Sequence, residues 1–166
     1  MRRNAIALAA FVLIFAASSF AQDAMPTKEE TVNYLNKRLQ EVEGRTEKVS
    51  NDLTRRFTNL SFTMKGDEAV YVYSRIGGLD GVRTARFNPG HLDYISVLKP
   101  VEGETIGWVH VTFKGKFVKQ TCKRDCDETT SYFSFPYLAT SPESGKKIEK
   151  AFLHLRDLVK AEEDIF

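Results

Sequence analysis

The sequence predicts an α+β fold in which seven antiparallel strands lie between an N-terminal helix and a closing C-terminal helix. Apolar residues recur at helical spacing after position 27 and again after position 141. Between these stretches, short segments alternate apolar and polar residues and are separated by turns rich in Gly, Pro, Asn and Asp. The 12 Phe and 6 Tyr favour a β-rich core. Such strands predict a partly open barrel that the last helix closes. The alternative is a single antiparallel sheet covered by two helices.

The first 21 residues have the pattern of a cleavable signal peptide. Arg2 and Arg3 give a positive start, residues 5–15 are apolar throughout, and Ser19 and Ala21 are small enough for signal peptidase. The apolar run is shorter than the roughly 20 residues of a transmembrane helix, which favours cleavage after Ala21 over an uncleaved anchor. We therefore expect a periplasmic or secreted protein with no transmembrane span in the mature chain.

Removal of the signal leaves residues 22–166, a length that suits a single soluble domain. The full chain has 24 basic and 22 acidic side chains, and the signal contains two arginines and no acid. The mature chain is therefore balanced at 22 of each. This balance argues against binding to bulk nucleic acid, which needs an excess of basic side chains.

Two amphipathic helices are predicted at the ends of the mature chain. The first begins after Thr27, because Thr27 and Glu30 form a capping-box pattern, and it ends near Gly44. The second begins at the N-cap Ser141 with Pro142 in its first turn. The apolar stripe of the first helix contains Val32, Leu35, Leu39 and Val42, and that of the second contains Ile148, Phe152, Leu155 and Val159.

The strands between these helices are predicted from alternation and from turn residues. The fifth and sixth strands are expected to form a hairpin around residues 114–115, and the seventh is expected to pair back. The seven predicted segments are residues 60–64, 69–76, 82–87, 94–98, 106–113, 116–122 and 127–135.

Several short segments follow one another along the chain in a characteristic order. They are Phe87-Asn88-Pro89, Leu92-Asp93, Gly107-Trp108 and Phe133-Ser134-Phe135, followed by Ile148, Phe152 and Leu155. These segments resemble those of small exported bacterial proteins with a pleckstrin-homology-like fold. The resemblance implies a barrel closed by a C-terminal helix and implies no particular function, because the roles of those proteins are mostly unassigned. No inositide site is carried over, because the sequence shows no matching basic loop.

Cys122 and Cys126 are the two cysteines of the chain and lie between the last two predicted strands. In a hairpin with a three-residue tip the two would face each other, and an exported protein meets oxidising conditions. A structural disulfide is therefore predicted. A redox-active pair and a metal site with distant histidines are the alternatives, and the spacing and the β setting favour neither.

Two further groups of residues are candidates for binding. Trp108 and His110 lie on one predicted face of a strand and could form part of a ligand pocket, but a half-buried histidine on a sheet face is the favoured explanation. The basic residues near the predicted hairpin could contact an anionic membrane surface or an acidic partner, or could form a solvated hairpin that resists edge pairing. This basic set contains Lys114, Lys116, Lys119, Lys123 and Arg124.

The sequence favours a non-catalytic exported binding or interaction module for an unidentified protein or small ligand. Its site is expected either at the basic hairpin or in a cleft between the barrel and the N-terminal helix. The alternative is a structural or assembly subunit of an envelope complex. An enzyme is disfavoured because no nucleophile, base and orienting group can be named together, and no cofactor or metal is predicted.

Overall fold

The computed structural model describes residues 25–50, 53–76, 81–100, 102–122, 127–140 and 143–163, and it confirms an α+β fold. The predicted signal peptide lies outside these residues. The helices are α1 (Lys28–Val42) and α2 (Ser144–Glu163), and a short 3-10 turn covers Pro89–His91. The strands are β1 (Thr46–Ser50), β2 (Leu53–Lys65), β3 (Glu68–Ile76), β4 (Val82–Phe87), β5 (Leu92–Leu98), β6 (Ile106–Phe113), β7 (Val118–Cys122), β8 (Glu128–Thr130) and β9 (Tyr132–Leu138).

The strands form two antiparallel sheets. One has six strands in the order β1-β2-β3-β4-β7-β8, and the other has three in the order β5-β6-β9. The alternative of a single sheet is therefore wrong, and so is the count of seven strands. The described part of the chain has nine strands, because residues 46–50 add a strand and the predicted seventh strand is divided into two.

The predicted hairpin of residues 106–113 and 116–122 is also wrong. β6 pairs with β5 and β9, whereas β7 pairs with β4 and β8 in the other sheet. The chain changes sheets in the loop between Phe113 and Val118, where Gly115 has a φ of 92°. It changes back at Ser131, whose carbonyl accepts the Phe113 N–H at 2.8 Å. The ends of β6 and β8 are therefore tied together where the two sheets meet.

The edge of β2 is covered partly by β1 and partly by side chains of α1. β1 pairs only with the start of β2, as far as Arg56. A bulge follows, in which Asn59 has a φ of 56°, and the Glu43 carboxylate accepts the N–H groups of Asn59 and Leu60 at 2.9 and 3.0 Å. Asn36 accepts the Phe62 N–H at 2.9 Å and donates to the Phe62 carbonyl at 2.6 Å. Asn36 of α1 and Glu43, the residue after its end, thus satisfy a stretch of strand edge that β1 does not reach.

Both helices bury the faces that the sequence predicts. The Thr27–Glu30 capping box is present, and α1 ends at Val42 before Gly44, which has a φ of 78°. The predicted N-cap at residues 141–142 lies outside the described residues. The buried residues of α1 include Leu35, Leu39 and Val42, and those of α2 include Ile148, Ala151, Phe152, Leu155 and Val159.

The core is an aromatic cluster between the two sheets and α2. Phe152 is fully buried and meets three other phenylalanines edge-on, with ring centroids 5.3–5.8 Å apart. Tyr71 of β3 packs against the rings of β9, so the two sheets share this core. The phenylalanines around Phe152 are Phe62, Phe133 and Phe135.

Candidate functional site

The structure places Trp108 and His110 on the predicted common face of β6, where both are half-buried and alternate with buried valines. The Trp108 indole N–H donates to the Glu47 carboxylate at 2.9 Å, and its ring lies 5.6 Å from that of Phe57. The His110 ring lies 6.4 Å from that of Tyr132. Trp108 therefore holds β1 against the smaller sheet, and neither residue lines the cleft described below.

The described basic residues of the candidate surface lie in the loop before β7 and on β7 itself. Lys114 and Lys116 lie in the exposed loop before this strand, and Lys119 lies on it. Lys123 and Arg124 follow the strand and lie outside the described residues. A single basic surface formed by all five residues stays a prediction.

Cys122 is the last residue of β7, and Cys126 lies outside the described residues. The register of β7 and β8 pairs Val118 with Thr130 and Gln120 with Glu128. The predicted disulfide stays a prediction.

A cleft of about 560 Å³ lies between α1 and α2, beside the residues that precede α1. The helices run antiparallel here, because Lys28 at the start of α1 contacts Glu162 near the end of α2 at 2.5 Å. The His154 ring contacts the Pro26 carbonyl at 2.6 Å and holds the residues that precede α1 against α2. The cleft is lined by Met25, Pro26, Glu30, Thr31, Tyr34, Lys147, Lys150, Ala151 and His154.

The floor and walls of this cleft are mostly apolar. Met25 is 82% exposed, although it is a large apolar side chain, and Ala151 leaves room because it is small. Tyr34 adds an aromatic wall, and the Arg38 guanidinium lies 5.3 Å from the centre of its ring. Partial burial raises the pKa of the Tyr34 hydroxyl, with Arg38 opposing and Glu41 reinforcing the change. Tyr34 therefore remains a neutral hydrogen-bond donor at physiological pH.

The charged groups of the cleft are mainly basic. Lys147 and Lys150 are one helical turn apart on α2, and both are exposed. The acid on the opposite helix is Glu30, and hydrogen bonds from the Thr27 backbone and hydroxyl lower its pKa. Glu30 is therefore ionised, but one of its oxygens already accepts both Thr27 hydrogen bonds, at 2.7 and 2.9 Å. The cleft thus offers apolar surface beside two ammonium groups whose side chains can move.

The sequence predicted a cleft between the barrel and the N-terminal helix, whereas this cleft lies between the two helices and has no strand residue in its lining. The signal for Lys147, Lys150 and His154 was their spacing, since residues three, four and seven apart share one side of a helix. The pairing of α1 with α2 was the missing information. No alternation or turn signal specifies that pairing.

Comparisons with known proteins name no relative: no family model, no curated protein and no solved structure matches the chain. Among the described residues, no three His, Cys, Asp or Glu side chains lie close enough to hold a metal ion. Neither α1 nor α2 is long and apolar enough to cross a membrane.

Proposed function

We propose that this protein is an exported, non-catalytic binding module that holds a small anionic amphiphile in the cleft between α1 and α2. The observation that carries the proposal is the combination of a concave, mostly apolar cleft of about 560 Å³ with two lysines on one wall. Ligand sites typically have volumes of about 300–1,000 Å³, apolar walls and a few polar groups that orient the ligand. The apolar part of the ligand would lie against Met25, Tyr34 and Ala151.

The charge on the ligand is inferred from the two lysines. Lys147 and Lys150 are flexible and exposed, so each can reach a carboxylate, sulfonate or phosphate at the mouth of the cleft. Glu30 opposes an anion, but its carboxylate is held toward Thr27 by the capping box. A cationic amphiphile would meet both ammonium groups and would be repelled.

The cleft is expected to prefer one sign of charge on the head group. Titration calorimetry of the mature protein with laurate, below its critical micelle concentration, should give saturable one-to-one binding. Lauryltrimethylammonium has the same chain, and it should bind at least about tenfold more weakly because its charge is reversed. The double substitution Lys147→Gln and Lys150→Gln should weaken laurate binding roughly tenfold and reduce its dependence on salt.

The matched control is Lys160→Gln, which removes one exposed charge from α2 outside the cleft. This variant should bind laurate as the wild type does, and both variants should unfold at the wild-type temperature. Equal affinity for the two amphiphiles, or a double variant that binds laurate unchanged, would contradict the proposal. Either result would favour the alternative of a structural subunit of an envelope complex.

Export, the disulfide and the fold family belong to the same proposal. The antiparallel pairing of β7 with β8 supports the disulfide, and a C-terminal helix packed against two antiparallel sheets supports the pleckstrin-homology-like comparison.

The mass of the non-reduced protein from its own compartment should equal that of residues 22–166 less two hydrogens. A mass that includes the first 21 residues would contradict signal removal, and a mass unchanged by reduction would contradict the disulfide.

A further inference from the structure

A second cavity, of about 450 Å³, lies on the side of the molecule where the larger sheet meets the turn at Pro89–His91. The β2–β3 turn, the end of β4 and the start of β7 form its walls. It is distinct from the cleft between the helices, and the two share no lining residue. The lining residues are Asp67, Glu68, Arg86, Phe87, Asn88, His91, Phe117 and Lys119.

The charges around this cavity balance. Its two carboxylates, Asp67 and Glu68, face two cations, Arg86 and Lys119. The Arg86 guanidinium lies 3.2 Å from the Glu68 carboxylate, and Asp67 is 3.8 Å from the ammonium group of Lys28 on α1. A ligand with a net charge would have to compete with these ion pairs. The walls nevertheless keep donors and acceptors for hydrogen bonds, because carboxylate oxygens and guanidinium N–H groups have several bonding positions each.

One wall of the cavity is a flat aromatic surface. The Phe117 ring stacks on the His91 imidazole with 4.7 Å between centroids and 15° between planes. Phe117 remains 48% exposed although it is a large apolar side chain. Gly115 lies close to the same ring, since a Cβ added at Gly115 would lie 3.2 Å from a ring carbon of Phe117. The ring is therefore held in place while much of it remains accessible to a ligand.

We infer that this second cavity binds a saccharide, that is, a neutral, hydroxyl-rich ligand with an apolar C–H face. Each hydroxyl both donates and accepts a hydrogen bond, which fits a wall that alternates carboxylates with an arginine and a lysine. The C–H face of a sugar ring would lie on Phe117, where it covers exposed apolar surface. A neutral ligand leaves the Arg86–Glu68 ion pair intact, whereas a charged ligand that pairs with either residue has to displace the other. The inference does not rest on the proposed function of the α1–α2 cleft.

The test is an NMR titration of the ¹⁵N-labelled mature protein with glucose, galactose, mannose and N-acetylglucosamine at millimolar concentrations. At least one sugar should give saturable shifts at the amides of Asp67, Asn88, His91 and Phe117. Phe117→Ala should weaken that binding about tenfold, because it removes the stacking surface. Tyr94→Ala removes an exposed aromatic residue of β5 outside the cavity, and it should leave the binding unchanged.

The Lys119→Gln variant distinguishes a neutral ligand from an anionic one, because the substitution removes the positive charge and keeps a hydrogen-bond donor. Sugar binding should stay within about threefold of the wild type and should not depend on salt. Three results would overturn the inference. The first is that none of the four sugars gives saturable shifts. The second is that Tyr94→Ala weakens sugar binding as much as Phe117→Ala does. The third is that sulfate, and none of the sugars, shifts the amides of this cavity, and that Lys119→Gln abolishes these shifts.

Discussion

Phe152→Ala is expected to lower the free energy of unfolding by about 4 kcal/mol, the largest effect that we expect of a single substitution in this core. Phe152 is fully buried and contacts Phe62, Phe133 and Phe135, which come from both sheets. The loss combines the transfer free energy of a phenyl ring with a cavity that three aromatic neighbours cannot close. Urea denaturation followed by tryptophan fluorescence would measure it, and thermal unfolding should occur about 10 °C lower.

Two variants on the same helix test whether this aromatic contact is the cause. Phe152→Leu keeps most of the buried volume and should cost about 1–2 kcal/mol. Leu153→Ala removes a neighbouring side chain that is only partly buried, and it should cost less than Phe152→Ala. A Phe152→Ala variant no less stable than Leu153→Ala would show that the core does not depend on the contacts between α2 and the two sheets.

Asn36→Leu is expected to destabilise the protein by about 2–4 kcal/mol, because it leaves two backbone groups of Phe62 without partners. The Asn36 amide accepts from the Phe62 N–H and donates to the Phe62 carbonyl, at 2.9 and 2.6 Å. Leucine has a similar shape and can make neither bond. The free energy of unfolding from urea denaturation measures the effect.

Asn33→Leu is the matched control, since Asn33 lies on the exposed side of the same helix. The identical chemical change at that position should alter the free energy of unfolding by no more than about 0.5 kcal/mol. Hydrogen exchange adds a second measurement, because the Phe62 amide should lose protection in Asn36→Leu alone. Equal stability of the two variants would mean that α1 does not secure the edge of β2.

The local features of the fold were predictable from the sequence, because their causes are local. The capping box of Thr27 and Glu30 lies within one helical turn, and the stripe ending in Leu155 and Val159 needs only helical spacing. Alternation likewise placed Trp108 and His110 on one face of a strand, and both are half-buried on that face. In each case the residues that determine the structure are adjacent or nearly adjacent in the chain.

The pairing of strands was not predictable in the same way. Alternation shows which side chains of β6 and β7 point inward, but it does not show which strands they pair with. β1 was missed because its sequence, Thr46–Ser50, lacks an alternating apolar pattern. The division of the last strand at Ser131 depends on a hydrogen bond to Phe113, which is distant in sequence. The cleft between α1 and α2 was not predicted for the same reason, since residues such as Tyr34 and Lys150 meet only after folding.

The most direct test of the proposed function is an NMR titration of the ¹⁵N-labelled mature protein with laurate, with the shifted amides mapped onto the structure. We expect saturable shifts that centre on Tyr34, Lys150, Ala151 and His154, and these shifts should weaken in the double variant of Lys147 and Lys150. Shifts centred on Trp108 and His110 of β6, or no saturable shifts at all, would contradict the assignment of the α1–α2 cleft as the ligand site.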